Sequence, residues 1–397
     1  MNIKSNITFY YDEDSLNKIG NVPFFLDGTN PDLEKIKKYL SRDISSSDYL
    51  ISYLDKFESD DIFEYIKKAK LNNKSIGYII VCKEEQLSLR DWDVIYKLEE
   101  LGFSKNEIVI ISAELDHSVF GEYTSISSNL IFGEFLHKYR TLIPDSFFDK
   151  NLNSLKNKKI ISSARKFNPI RENFYINFDK NYSHLQNNNN SFRYYGLIPN
   201  CKTDTDTSGN EYKKFNNVNY SHDIVSTDAM MNREEYFYNT LLEEYNNYYF
   251  SVVHETLPKG CFSEDSMYID YNMLYPNYPS KLQAGEKVLL PMTTKGIFFV
   301  SSLPNIEKHL NDIGVETFDG LFGISYDSLD YDNRNKKILE ICDTINKMSF
   351  EDISDLYNSI SIQQKIKSNY EFVLYWKNQE NIKNEYLKEI ETLKNLK

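Results

Sequence analysis

Gly285-Glu286-Lys287-Val288-Leu289-Leu290-Pro291-Met292, followed by Gly296-Ile297-Phe298-Phe299-Val300, sets an acid and a base directly after a glycine, where a helix can begin. A strand-like apolar run follows within ten residues. The first turn of a helix leaves backbone N–H groups unsatisfied at the positive end of its dipole, a place that suits an anion. Lys287 adds a point charge for a phosphate, and Glu286 can accept two hydrogen bonds from a vicinal diol such as a ribose. Pro291 is expected to kink or end the helix after a turn or two. Taken alone, the pair reads first as an ordinary surface Glu-Lys pair.

Upstream, residues 1 to 150 alternate strand and helix signals. Ile7 to Tyr11 and Val22 to Leu26 read as strands, the second ending in the turn Asp27-Gly28. Asp61 to Lys70 has helical periodicity, Ile76 to Cys82 is a buried-strand run, Trp92 to Leu101 is helical and Ile108 to Ile111 is strand again. That alternation predicts βαβ units around a mostly parallel sheet, an α/β fold. Ligands of such sheets bind beyond the carboxyl ends of the strands. The residues to watch are therefore Asp27, and Glu114, Asp116 and His117 after Ile108–Ile111, though each is also an ordinary loop residue.

Asn151 to Lys159 is polar and breaks the pattern, so it is the expected linker. Ile160 to Ala164 starts a new strand, followed directly by Arg165-Lys166-Phe167-Asn168-Pro169-Ile170-Arg171. A guanidinium at a strand's carboxyl end suits a diphosphate. Tyr249 to Val253 is a further buried strand leading into His254-Glu255-Thr256, after a helix expected over Glu234 to Tyr245. Ser302-Leu303-Pro304 is expected to start a helix that Gly314 closes. Ser349-Phe350-Glu351-Asp352 carries a capping-box signature. From Gln379 onward Ile382, Tyr386, Ile390 and Leu393 share one helical face.

Glu286-Lys287, Pro291-Met292, Ile297 to Val300, Leu303-Pro304, Leu310, Gly314, Thr317-Phe318 and Ser325-Tyr326-Asp327 resemble, in order and spacing, the nucleotide-sugar half of fucosyltransferase-like glycosyltransferases of the GT-B fold. Gly285 stands where those relatives carry a hydroxyl residue, Gly296 where proline is usual, and Gly323-Ile324 where they have an acidic pair.

The resemblance implies two Rossmann-like domains facing across a cleft. An acceptor domain would span residues 1–150 and a donor domain 160–360, with C-terminal helices over 361–397 packing back on the domains. It places Arg165, Arg171, His254, Glu255, Thr256, Glu286 and Lys287 in the donor site, with Arg171 on the pyrophosphate. The expected reaction moves a sugar from a nucleoside-diphosphate sugar to an acceptor hydroxyl, with no cofactor and no metal. Asp27, Glu114, Asp116 and His117 would be the candidate general bases, Asp27 first. A sugar-nucleotide epimerase and a non-catalytic sugar-nucleotide-binding protein are the alternatives.

Composition bounds these readings. The 397 residues suffice for two cored domains. A net charge of −13 speaks against a protein that coats nucleic acid. The acceptor is left open among a hydroxymethylated DNA base (fitting a phage or virus source), a glycan, a protein and a small molecule. Cys82, Cys201, Cys261 and Cys342 lie far apart without metal-ligand spacing, which fits a reducing cytoplasm. Asp204 and Asp206 alternate in a polar stretch but lack the glycine and glutamate of a calcium loop. The absence of an apolar run of membrane-spanning length predicts a chain outside the membrane.

Overall fold

A computed structural model describes residues 9–10, 40–53, 60–82, 89–112, 120–128, 156–163, 192–195, 248–254 and 286–395, with single positions left out among them, and isolated residues at 132, 174–185 and 242–247. The chain divides into two compact units. The first gathers Met1–Lys138, Pro258–Gln283 and Tyr375–Lys397, and the second Tyr139–Leu257 and Ala284–Leu374.

The first unit holds β1 (Phe9–Tyr10), β2 (Leu40–Ser41), β3 (Tyr49–Tyr53), β4 (Gly77–Cys82), β5 (Ile108–Ser112) and β6 (Thr124–Ser127). All pair in parallel in the order β2-β1-β3-β4-β5-β6. Helices α1 (Asp60–Asn72) and α2 (Leu89–Glu100) fall where apolar spacing placed them. They bury Ile66, Ala69, Ile95 and Leu98 against Leu50, Tyr78, Ile80, Ile108 and Ile110. Parallel strands covered on both faces read as unbroken apolar runs, and β5 is buried at every position. Each such side chain contributes ~1.5–3 kcal/mol. Gly77 opens β4 because a Cβ there would come within 2.5 Å of the Tyr49 ring.

The second unit holds β7 (Lys158–Ser163), β8 (Phe192–Tyr195), β9 (Tyr248–His254) and β10 (Ile297–Ser301), again all parallel, in the order β10-β9-β7-β8. The expected helix after Gly285 is a 3-10 turn, Glu286–Val288, running into α3 (Leu289–Thr293). Pro291 lies in its first turn, where no N–H is needed, and the helix stops two residues later. Helices α4 (Ile306–Asp312), α5 (Tyr331–Lys347), α6 (Phe350–Asn358) and α7 (Ile360–Lys377) follow, and then α8 (Gln379–Asn395), which groups with the first unit. The capping box at Ser349 is formed with Asp352. In α8, Ile382, Ile390 and Leu393 are buried as the periodicity required.

One helix start differs from expectation. Helix α4 begins at Ile306 rather than at Ser302, after Asn305 in the left-handed region at φ 67°. The Glu307 and Lys308 amides donate at 3.0 and 2.9 Å to the carboxylate of Asp327, so the cap lies twenty residues down the chain. Gly314 closes the helix at φ 93°.

The loop after α4 clasps the edge strand β10. Phe318 packs edge-on against Phe298, while Phe322 and Tyr326 meet Phe299. Neighbouring residues of a strand face opposite ways, so the loop reaches both faces. The Val300 amide donates to Glu307 Oε1 at 3.1 Å. Glu307 also accepts from the Asp319 amide and the Tyr326 hydroxyl, and Arg334 pairs with Asp327 beneath it. Glu307 and Arg334 are fully buried. Burial pushes the Glu307 carboxyl up to about 7, with the Asp327 charge adding to the rise. Among the described residues no helix is long and apolar enough to cross a membrane.

Candidate functional site

In an open parallel sheet the crevice opens where successive strands leave in opposite directions from a shared start. In the second unit β7 has β8 on one side and β9 on the other, so the switch point lies between β7 and β9. Five of the seven expected donor residues follow or end these two strands. Arg165 and Arg171 follow β7, and His254 ends β9 with Glu255 and Thr256 after it. Of these, His254 is described; Arg165, Arg171, Glu255 and Thr256 lie outside the described residues.

Two contacts of Lys156 locate the end of the helical run that Glu286 and Lys287 begin. Lys156, just before β7 and therefore at the amino edge of the sheet, donates to the carbonyl of Thr294 at 2.9 Å and to that of Asn246. Thr294 ends α3. The helical run thus has its end at the amino edge of the sheet. Lys287 is half-buried. With α3 only five residues long, its dipole is small. Any anion held here relies chiefly on side-chain charge. The Glu286 backbone is helical, and its side chain lies outside the described residues.

The carboxyl edge is polar where the middle of the sheet is apolar. Ser162, His254, Ser301 and Asn335 are each fully buried, and Ser302 nearly so. The Ser162 hydroxyl lies 2.7 Å from His254 Nε2 and shares one hydrogen bond with it, the donor set by the imidazole tautomer. Phe174 closes on the His254 ring edge-on at 4.6 Å. Ser301 donates to the side-chain oxygen of Asn335 on α5 at 2.7 Å. A nucleophilic serine has to be reached by substrate. Ser162 is fully enclosed, so the pair reads as a brace rather than as a nucleophile and its base.

At the amino edge, burial pushes the Lys156 amine down to about 7, helped by the nearby charge of Lys295. Lys159 donates to the carbonyls of Asn346 and Met348 and so closes the end of α5. Of Ser325-Tyr326-Asp327, part of the resemblance, Tyr326 and Asp327 are built into the buried cluster around Glu307 and Arg334, and the exposed Ser325 donates to Asp319 beside it. Their role there is to hold the clasp on β10.

In the first unit the switch point lies between β1 and β3. Asp27, Glu114, Asp116 and His117 lie outside the described residues. In chain order Glu114 to His117 follow β5, which stands two places from β3 in the sheet. Ser162, Asn335 and Arg334 were not legible as site or support residues. Each is joined to its partner across 32 or more residues, apart from the Arg334–Asp327 pair, and no local pattern announces it. No protein-family model matches the chain, and neither the curated proteins nor the solved structures contain a match to it.

Proposed function

We propose that the chain is a glycosyltransferase that moves a sugar from a nucleoside-diphosphate sugar to an acceptor hydroxyl, with its two units as the halves of a GT-B fold. One observation carries the reading. The segments singled out as donor-binding, Arg165 to Arg171 and His254 to Thr256, follow or end the two strands that flank the switch point of the second sheet, although β7 ends at Ser163, β9 begins only at Tyr248, and β8 comes between them in the chain.

In this reading Arg171 and Lys287 take the charge of the departing diphosphate, Glu286 holds the ribose, and Glu255 and Thr256 complete the donor site. Positive side chains aimed at a developing diphosphate lower the barrier because they need no reorganisation as charge builds. A base from the first unit, Asp27 or one of Glu114, Asp116 and His117, takes the acceptor proton if configuration inverts.

A thermal-shift panel of UDP-, GDP-, ADP- and CMP-sugars tests the donor half, since a ligand that binds only the folded state raises Tm. One of them should do so. Lys287→Ala and Arg171→Ala should then each reduce donor turnover by more than about threefold. A flat panel, or turnover unchanged in both variants, overturns the reading.

A further inference from the structure

The hydrogen bond between Ser162 and His254 joins the ends of β7 and β9 across the switch point. The strand ladder pairs Ser162 with Val252 and Ser163 with Val253, so among the described residues His254 stands one step beyond the last β7–β9 pair. The bond is a diagonal link from Ser162 to the residue two places beyond its ladder partner. On the other side of β9, His254 pairs with Ser301, and Ser301 is held by Asn335. Side chains two apart on a strand share a face. Ser162, His254 and Ser301 accordingly form one row along the carboxyl edge, tied to α5 at one end and backed by Phe174.

Such a row is an expensive way to fill a core. Two apolar side chains of the same shape would pack there without desolvating an imidazole and a hydroxyl. What the polar pair adds is direction, because a hydrogen bond fixes distance and angle where apolar packing tolerates slippage.

Resting on the donor-site reading above, we propose that Ser162 and His254 are positioning residues that set the spacing of the β7 and β9 ends, and with it the register of the nucleoside-diphosphate site formed by the residues that follow them. The pair acts through the backbone. Small displacements of binding groups are costly to affinity and rate, and a side-chain brace across the two strands resists their splaying at the carboxyl edge.

The test uses the full chain with UDP, GDP and ADP as probes, and follows Kd by calorimetry and Tm in parallel. Ser162→Ala should lower Tm and weaken the best-bound nucleotide about tenfold, the equivalent of one buried hydrogen bond. Ser162→Thr, which keeps the hydroxyl, should restore both. The double variant Ser162→Ala/His254→Leu separates the two effects. Replacing both partners by apolar groups should bring Tm back toward wild type while Kd stays raised. A double variant that binds the nucleotide within about twofold of wild type overturns the proposal. So does a Ser162→Thr variant that recovers Tm without recovering Kd. Failure of the wild-type chain to bind any of the three nucleotides instead overturns the donor-site reading itself.

Discussion

Glu307→Gln should remove part of the pH dependence of the second unit. The Glu307 carboxyl has an ordinary value of 4.5, and burial raises it to about 7. Between those two values the folded state holds a proton that the unfolded chain has released. The contribution of Glu307 is therefore fully present below pH 4.5 and is lost as pH rises through 7. At ~1.4 kcal/mol per pH unit the gap amounts to about 3 kcal/mol. Glutamine cannot titrate. Its amide oxygen can keep the Val300 and Tyr326 bonds, but its NH2 would face the Asp319 amide that Glu307 Oε2 now accepts. The variant should thus be weaker at pH 4.5 by about 1–3 kcal/mol, with the deficit shrinking or changing sign by pH 8. Hydrogen exchange read on peptides from β10 and α4 is the suitable assay, because the Val300 amide donates directly to the carboxylate. Tryptophan fluorescence would miss it, since Trp92 and Trp376 both belong to the first unit. If wild type and variant keep a constant difference from pH 4.5 to 8, Arg334 and the three donors hold the carboxylate ionised, and the argument from burial fails.

Lys156→Met should remove a slope of the opposite sense. The amine drops from 10.5 to about 7 in the fold, so its contribution rises with pH from 7 to 10.5, by at most about 5 kcal/mol. Tm of the wild type should gain on that of the variant between pH 7 and 9.5, and equal gains would refute the shift. Ser349→Ala removes the hydroxyl that accepts from the Asp352 amide, while the Ser349 amide still donates to the Asp352 carboxylate, and should cost about 1 kcal/mol in chemical denaturation followed by circular dichroism. Asp27→Asn, with donor binding retained, should reduce sugar transfer at least about a hundredfold. Near-normal transfer would move the base to Glu114, Asp116 or His117.

Local elements were legible because their signals are local. The apolar runs at Ile76 to Cys82, Ile108 to Ile111 and Ile297 to Val300 are strands, and Ser349 caps the helix it was expected to cap. Helix α7 gave no such signal. Ile362, Ile366, Val373 and Trp376 are buried, yet Ile360, Leu374 and Tyr375 are exposed, so apolar residues surround the helix without a clear stripe. Sheet order was beyond reach, because strand pairing is decided between distant segments. Nothing near Ser163 says that β9 rather than β8 lies on the side that opens the crevice. The brace illustrates the same limit. His254 was marked by its place after an apolar strand, but its partner Ser162 lies 92 residues away. The start of α4 was misplaced because its cap, Asp327, comes from beyond the loop that clasps β10.

The segment from Tyr375 onward groups with the first unit rather than with the residues just before it. Trp376 packs beside Phe132, and a cavity of about 110 Å³ lined by Ile126, Ser127, Trp376, Glu385, Lys388, Glu389 and Thr392 marks where α8 lies against the end of β6. Ile390 and Leu393 on that helix are fully buried. Domains made from one continuous stretch can fold as the ribosome releases them, the N-terminal one first. A nascent chain halted before Tyr375 carries every strand described in both sheets but lacks the helix whose Ile390 and Leu393 are buried, so the flank of β6 stays open to other contacts until translation has passed Leu393.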